Sequence, residues 1–345
     1  LFRSFDDGSE KYMEYGFNWC QAVNKLKQLQ EAVLAKNDLS EVFYKVEMPL
    51  IEVLAAMEYE GITVNYETLE ILGKQLSEEL GLLEIKIHEY AESEFNINSP
   101  SQLGEILFET LKLPAGKKTT RGYSTSVDVL NKIKDLHPIV NEVLRYRTLA
   151  KLNSTYVEGL KPLIGVDKKV RAHFQQTVTA TGRISCTEPN LQNIPIRQEL
   201  GRQLRKAFVS GNDNFTLIGA DYSQIELRVL AHLSGDENLI KAFNNGEDIH
   251  RLTAAKVLGV DYDKVTNEER NKAKVVNFGV TYGMSGFGLS EELKITRKEA
   301  ENYIKEYFNK YIDVKIYMDS QVESCKKLGY STTITGRKRV IHEIN

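Results

Sequence analysis

Residues 215–228 of this 345-residue chain read FTLIGADYSQIELR, an apolar run followed by one carboxylate and the start of a helical pattern. The apolar part, 215–220, predicts a buried β-strand that ends at Asp221. A carboxylate at a sheet edge suits a hard cation such as Mg²⁺, and the backbone carbonyl near Tyr222 could face the same ion. The alternative is that Asp221 is the N-cap of the helix that follows it.

The composition is ordinary for a soluble globular protein, with 41% hydrophobic and 27% charged residues and a net charge of −3. The length favours two or three structural units. No run of eighteen apolar residues occurs, so no membrane partner is expected. Three widely separated cysteines argue against a disulfide framework and fit a reducing cytoplasm. The net charge is neutral evidence, because binding to a polyanion needs only local positive charge.

A second informative stretch, residues 270–283, predicts a helix with a chemically graded face. Arg270, Lys274, Phe278 and Tyr282 recur every four positions, so they share one broad side of the helix. That side changes from cationic to aromatic, which is also the polarity of a nucleoside triphosphate. The two cations would bind phosphates, and the two rings would pack on sugar and base. An ordinary amphipathic helix is the alternative.

Two polar motifs, 179–185 (TATGRIS) and 189–195 (PNLQNIP), are typical of a surface that reads the DNA minor groove. Gly182 permits a tight turn that would present Arg183, and Gln192 and Asn193 offer amide donors. Such donors suit minor-groove acceptors, which look alike for every correct base pair. A surface turn with structural amides is the alternative.

The helical region before residue 166 carries basic residues that could grip a sugar-phosphate backbone. A loop at 114–124 contains Lys117, Lys118 and Arg121, and a predicted helix at 138–161 carries Arg147 and Lys151. A solvated charged loop is the alternative for the first group.

Together these motifs resemble the polymerase part of the A-family DNA polymerases of the bacterial DNA polymerase I type, over about residues 46–345. The resemblance implies an α+β, mostly helical fold shaped like a right hand, with an antiparallel palm sheet. It implies four regions: the end of a degenerate 3′–5′ exonuclease-like domain (1–45), a thumb (46–165), the first part of a palm (166–235) and fingers (236–345). The rest of the palm would be missing.

The resemblance also implies roles for single residues. Asp221 and the Tyr222 carbonyl would hold two Mg²⁺ ions, and Glu226 would be a steric gate against a ribose 2′-OH. His250 would lie near the triphosphate, and Phe278 in place of tyrosine implies discrimination against dideoxynucleotides. The implied nucleotide-binding set also includes Tyr222, Ser223, Gln224, Ile225, Arg270, Lys274 and Tyr282. Arg270 and Lys274 would be catalytic residues together with Asp221. Its implied DNA-binding set is Lys117, Lys118, Arg121, Arg147, Lys151, Arg183, Gln192 and Asn193.

The activity implied is template-directed addition of deoxynucleotides to a primer 3′-OH by two-metal phosphoryl transfer. The expected partners are primer–template DNA and deoxynucleotides, and we expect a cytoplasmic, nucleoid-associated monomer. In that family a second catalytic carboxylate lies in a His-Asp-Glu motif near the C-terminus. This sequence ends at Asn345 before such a motif, so a C-terminally truncated polymerase is expected. Residues 17–21 read FNWCQ where a Tyr-x-x-x-Asp metal motif would fall, which predicts no proofreading.

Two rival functions remain open. A fragment that binds primer–template and nucleotide without catalysis is favoured by the absent carboxylate. A single-subunit RNA polymerase is opposed by Glu226, because a ribonucleotide enzyme must leave room for the 2′-OH.

Overall fold

The computed structural model describes residues 10–115, 122–196 and 199–344, without the side chains of 10–14 and 258. The predicted DNA contacts Lys117, Lys118 and Arg121 lie outside these ranges. The helices are α1 (Glu10–Lys36), α2 (Ser40–Val42), α3 (Met48–Glu60), α4 (Tyr66–Ala91), α5 (Pro100–Gly104), α6 (Val127–Ile133), α7 (Pro138–Leu152), α8 (Glu199–Arg205), α9 (Ile225–Ser234), α10 (Glu237–Asn244), α11 (Ile249–Leu258), α12 (Asn267–Thr281), α13 (Gly286–Leu293), α14 (Arg297–Lys310) and α15 (Ile312–Leu328). The strands are β1 (Ile62–Val64), β2 (Lys169–Val170), β3 (His173–Gln175), β4 (Ser185–Thr187), β5 (Phe208–Val209), β6 (Tyr330–Thr332) and β7 (Lys338–Val340).

These elements confirm the predicted fold class, an α+β protein dominated by helices with short antiparallel sheets. Packing of the backbone divides the chain into two units, one of residues 43–218 and the other of residues 1–42 together with 219–345. The thumb, palm and fingers boundaries stay predictions. Within the described residues, none of the helices combines the length and the apolar run that crossing a membrane requires.

The unit of residues 43–218 is organised around α4. Asn65 caps this helix by accepting a hydrogen bond from the Thr68 backbone N–H at 3.0 Å. Leucines at helical spacing on α4 are buried against α7 and the small sheet. A second core cluster, at the C-terminal end of the same helix, joins it to α5, α6 and the start of α7. The core of this unit is therefore built on the apolar stripe of α4.

The sheets are small. Strand β1 lies between β2 and β5, and β3 pairs with β4, all antiparallel. In the other unit β6 pairs with β7 as an antiparallel hairpin, with Ser331 opposite Arg339.

The segment 215–220 is not a strand, so the prediction of a buried strand ending at Asp221 is wrong. It is irregular, and Phe215 and Ile218 are 67% and 87% exposed. An apolar run becomes a strand only when a neighbouring strand takes its backbone N–H and C=O groups, and none of the described strands pairs with it. The N-cap alternative for Asp221 also fails, because α9 starts at Ile225 with Gln224 in the cap position.

The unit of residues 1–42 and 219–345 has a core built by α9 to α15. Helix α12 begins with a capping box in which Thr266 and Glu269 satisfy each other's backbone N–H groups. Val276 and Val280 of α12 are buried in this core, beside residues of α9, α14 and α15. Since one side of α12 is fixed inward, its opposite side is presented outward.

Candidate functional site

Helix α12 carries the graded face that the sequence predicted. Arg270 and Phe278 are half-buried, and Lys274 is exposed. Tyr282, which ends the helix, is 61% exposed. Ala273, Val276 and Val280 supply the buried side of the helix. The cation-to-aromatic order therefore lies along an accessible surface.

The N-terminus of α11 orients the first cation of that face. Asp248 caps α11 by accepting hydrogen bonds from the backbone N–H groups of His250 (3.0 Å) and Arg251 (3.1 Å). Its other carboxylate oxygen accepts a 2.6 Å hydrogen bond from Arg270 Nε. Burial acts to raise the pKa of Asp248, but the hydrogen bonds from Arg270 and from the Arg251 backbone outweigh it and lower the pKa. Asp248 is therefore a charged anchor, and the Nε contact leaves the terminal guanidinium nitrogens of Arg270 for another anion.

A buried histidine lies beside the face. His250 is 2% exposed, and its Nδ1 is 2.9 Å from the side-chain amide nitrogen of Asn277, which is 1% exposed. The imidazole also contacts Phe278, with ring centroids 5.8 Å apart. Burial lowers the pKa of His250 to about 4, helped by the positive charges of Arg270 and Lys274 and opposed by Asp248. At neutral pH this imidazole is uncharged.

The aromatic end of the face is joined to α9. The Tyr282 hydroxyl donates a hydrogen bond to the Glu226 carboxylate, which is half-buried. The turn before α9 is held by Arg228, whose Nε donates to the Ser223 carbonyl at 2.9 Å. The same guanidinium lies over the Phe243 ring, 4.6 Å from its centroid. Glu226 is therefore fixed by its helix, by that turn and by Tyr282.

Asp221 stands apart from this connected set. It is exposed, as are Tyr222, Ser223 and Ile225, and it has no hydrogen-bond partner among the described residues. Its oxygen donors suit Mg²⁺. Among the described residues, however, no three His, Cys, Asp or Glu side chains come together as metal ligands. These residues alone do not fit a complete two-metal site.

The other unit carries the predicted DNA contacts. Arg147, Lys151 and Asn193 border one open groove of about 660 Å³. Arg147 is partly committed to the fold, because its guanidinium donates to the backbone carbonyl and hydroxyl of Thr125. Burial lowers its pKa. Lys151 is exposed and in the described residues makes no ion pair, so it is the more available cation.

The polar motifs of that unit are ordered by internal hydrogen bonds. Gly182 has φ of +81°, the left-handed conformation that its turn was predicted to need, and the following Arg183 is exposed. The Gln192 amide nitrogen donates to the Ile184 carbonyl at 3.1 Å. Tyr156 donates to the Asn193 backbone carbonyl, which leaves the Asn193 side chain at the groove.

Sequence reasoning gave no role to three residues that organise the site: Asp248, Asn277 and Arg228. Two signals could have found the first two. Asp248 stands immediately before a helix, where a capping aspartate is expected. A cation from a neighbouring helix, such as Arg270 of α12, can pair with a carboxylate in that position. Asn277 is a polar residue on the otherwise apolar flank of α12, and a buried amide needs a partner. For Arg228 no sequence signal existed, because its contacts with the Ser223 carbonyl and the Phe243 ring depend on the shape of the turn and on the packing of α10.

Comparisons with known proteins agree with one another. The family model described as DNA polymerase family A matches residues 66–345. The DNA polymerase I of Lactococcus lactis is 51% identical over 92% of this chain, and that of Bacillus subtilis is 50% identical over 94%. The chain spans 36% and 37% of the length of these two relatives. A solved structure of the polymerase domain of Pol1 from M. smegmatis, in complex with DNA primer-template and dNTP, has a TM-score of 0.83 and 38% identity. The match covers 90% of this chain and 55% of the chain in that structure.

Proposed function

The chain belongs to DNA polymerase family A, and from this premise we propose that it forms the nucleotide-binding and primer–template-binding part of a template-directed DNA polymerase. The observation that carries the proposal is the connected surface of α9, α11 and α12. There Arg270 is oriented by Asp248, His250 lies against Phe278, and Tyr282 holds Glu226.

The surface matches a deoxynucleoside triphosphate from end to end. The free edge of the Arg270 guanidinium would take two phosphate oxygens, and Lys274 would add a mobile positive charge. Phe278 and Tyr282 would pack on the sugar and base. Glu226 would occupy the space that a ribose 2′-OH needs, which selects deoxynucleotides.

The metal part of the proposal depends on Asp221. In a two-Mg²⁺ mechanism the ions would activate the primer 3′-OH and stabilise the pyrophosphate leaving group. Asp221, with the Tyr222 carbonyl, would contribute ligands. Among the described residues, no group of three His, Cys, Asp or Glu side chains that could hold a metal ion includes Asp221.

The DNA-binding part rests on the groove of the 43–218 unit. Lys151 and Arg147 would contact phosphates, while Asn193, Gln192 and Arg183 would reach minor-groove acceptors. In this proposal residues 46–165 are the thumb, 166–235 part of the palm and 236–345 the fingers. A monomeric state and association with the nucleoid complete the proposal.

A binding-only function is the second candidate, favoured by the isolated position of Asp221. Two measurements on this chain separate them: Mg²⁺-dependent extension of a labelled primer–template with all four deoxynucleotides, and binding of primer–template and of a deoxynucleotide. Extension that Asp221→Ala abolishes supports catalysis. Binding of primer–template and nucleotide without extension supports the second candidate, and failure to bind either ligand contradicts both.

A further inference from the structure

The contact between Asn277 and His250 fixes where the histidine carries its proton. An amide nitrogen can only donate, so the 2.9 Å contact makes His250 Nδ1 the acceptor. A neutral imidazole has one N–H, which must then lie on Nε2. Both side chains are almost fully buried, and the Phe278 ring limits rotation of the imidazole. The tautomer is therefore set by the packing of α11 on α12.

The surroundings keep this imidazole neutral. The charged groups that act on it are Asp248, from the start of its own helix, and Arg270 and Lys274, from α12. Burial and the two cations outweigh the carboxylate, and the pKa lies at about 4. Near pH 7 the group is consequently a neutral donor, and Nε2 has no hydrogen-bond partner among the described residues.

We propose that Asn277 is a positioning residue that holds His250 in the Nε2–H tautomer, so that the imidazole donates a hydrogen bond to a phosphate oxygen of the bound nucleotide. The inference rests on the proposed nucleotide site. An anion can be bound by a neutral histidine only through an N–H, because the other tautomer would direct a lone pair at it. An aspartate at position 277 would do the opposite of asparagine, since a carboxylate draws the proton to Nδ1.

The first test is the tautomer itself, measured in this chain labelled with ¹⁵N-histidine. The His250 signals are identified by their loss in His250→Gln. We expect Nε2 to be protonated and Nδ1 unprotonated at pH 7 to 8. In Asn277→Asp the proton should move to Nδ1, and the pKa of His250 should rise. An Nδ1–H tautomer in the unmodified chain would overturn the proposal, whether or not the variant folds.

The second test is binding of inorganic tripolyphosphate and of dATP across pH. A hydrogen bond to a charged group corresponds to about a tenfold change in affinity or more, so Asn277→Asp should bind about tenfold more weakly at pH 8. Its affinity should recover as the pH falls, because the imidazolium regains a proton on Nε2. Thr253→Val removes another buried polar group from α11, one bonded to the Tyr311 hydroxyl at 3.2 Å, and should show no such recovery.

The outcomes are distinct. If Asn277→Asp binds triphosphate as the unmodified chain does at every pH, Asn277 does not position a phosphate donor. If its affinity falls equally at all pH values, the effect is structural and the proposal is wrong. If the unmodified chain binds neither probe, the nucleotide site itself is refuted, while the tautomer measurement reports separately on the Asn277 contact.

Discussion

Two regions predicted from short motifs differ sharply in the structure. The residues of the surface formed by α9, α11 and α12 are joined in pairs: Asp248 to Arg270, Asn277 to His250 and Tyr282 to Glu226. Asp221 and its neighbours are exposed and irregular. The difference shows that the α12 face is pre-organised by contacts inside the described chain, whereas Asp221 gains no orientation from them. Binding of nucleotide and chemistry on it should therefore be separable.

The largest expected effect is a direct test of that separation. Arg270→Ala should weaken binding of dATP about 10- to 100-fold in the presence of a metal chelator, because charge-assisted hydrogen bonds to phosphate are lost. Asp221→Ala should leave the same affinity within about twofold, since an exposed charge is screened by salt. Calorimetric titration measures both.

The matched control for this prediction is Lys272→Ala. Lys272 lies on the same helix, two residues from Arg270 and so about 200° around it, and it pairs with Glu268 at 2.8 Å. Its removal should change the affinity by less than about threefold, as for other surface ion pairs. An equal loss in both variants would mean that net charge, and not the oriented face, binds the nucleotide.

The next prediction concerns the effect of the buried His250 imidazole on stability as the pH changes. The pKa of His250 is about 4 in the folded chain, whereas the ordinary pKa of a histidine side chain is 6.5. The unfolded chain therefore takes up a proton as the pH falls through 6.5, while the folded chain does so only near 4. Stability should drop between pH 7 and pH 5 by about 2 kcal/mol from this group alone.

Urea denaturation at the two pH values checks this prediction, with His250→Gln as the comparison. The variant should lose less free energy of unfolding than the unmodified chain over the same pH interval. An identical pH dependence in both proteins would show that His250 is not held neutral by its surroundings.

A smaller effect concerns the anchor of Arg270. Asp248→Ala removes a cap that accepts from two backbone N–H groups, together with the contact to Arg270, and should cost about 1–2 kcal/mol of unfolding free energy. Asp248→Asn keeps the cap and removes the charge, so it should be closer to the unmodified chain. Equal destabilisation by the two substitutions would assign the anchor's contribution to the ion pair instead of the cap.

How far the sequence predicts this molecule depends on where each residue finds its partner. The graded face of α12 follows from periodicity within one helix, so four spaced residues sufficed. The prediction of a strand at 215–220 was wrong because a strand needs a neighbouring strand to pair with, and that neighbour is distant in sequence. Apolar composition alone does not show whether such a neighbour is present. Likewise Asp248 and Asn277 acquire their roles only when α11 packs on α12. Local patterns predicted the residues proposed to contact the nucleotide, whereas the residues that orient them became apparent only from tertiary contacts.

The smallest expected effect examines the contact at the aromatic end of the face. Tyr282→Phe keeps the ring that would pack on the base and removes only the hydroxyl that donates to Glu226. A single hydrogen bond of about 1 kcal/mol predicts a loss of roughly fivefold in discrimination between dATP and ATP. Glu226→Ala removes the proposed steric gate and should abolish the discrimination. Competition binding with the two nucleotides measures both ratios, and Tyr282→Phe should then have no further effect in the Glu226→Ala background. Additive losses in the double variant would mean that Tyr282 contributes to sugar selection independently of Glu226, and the aromatic end would then be two contacts and not one coupled pair.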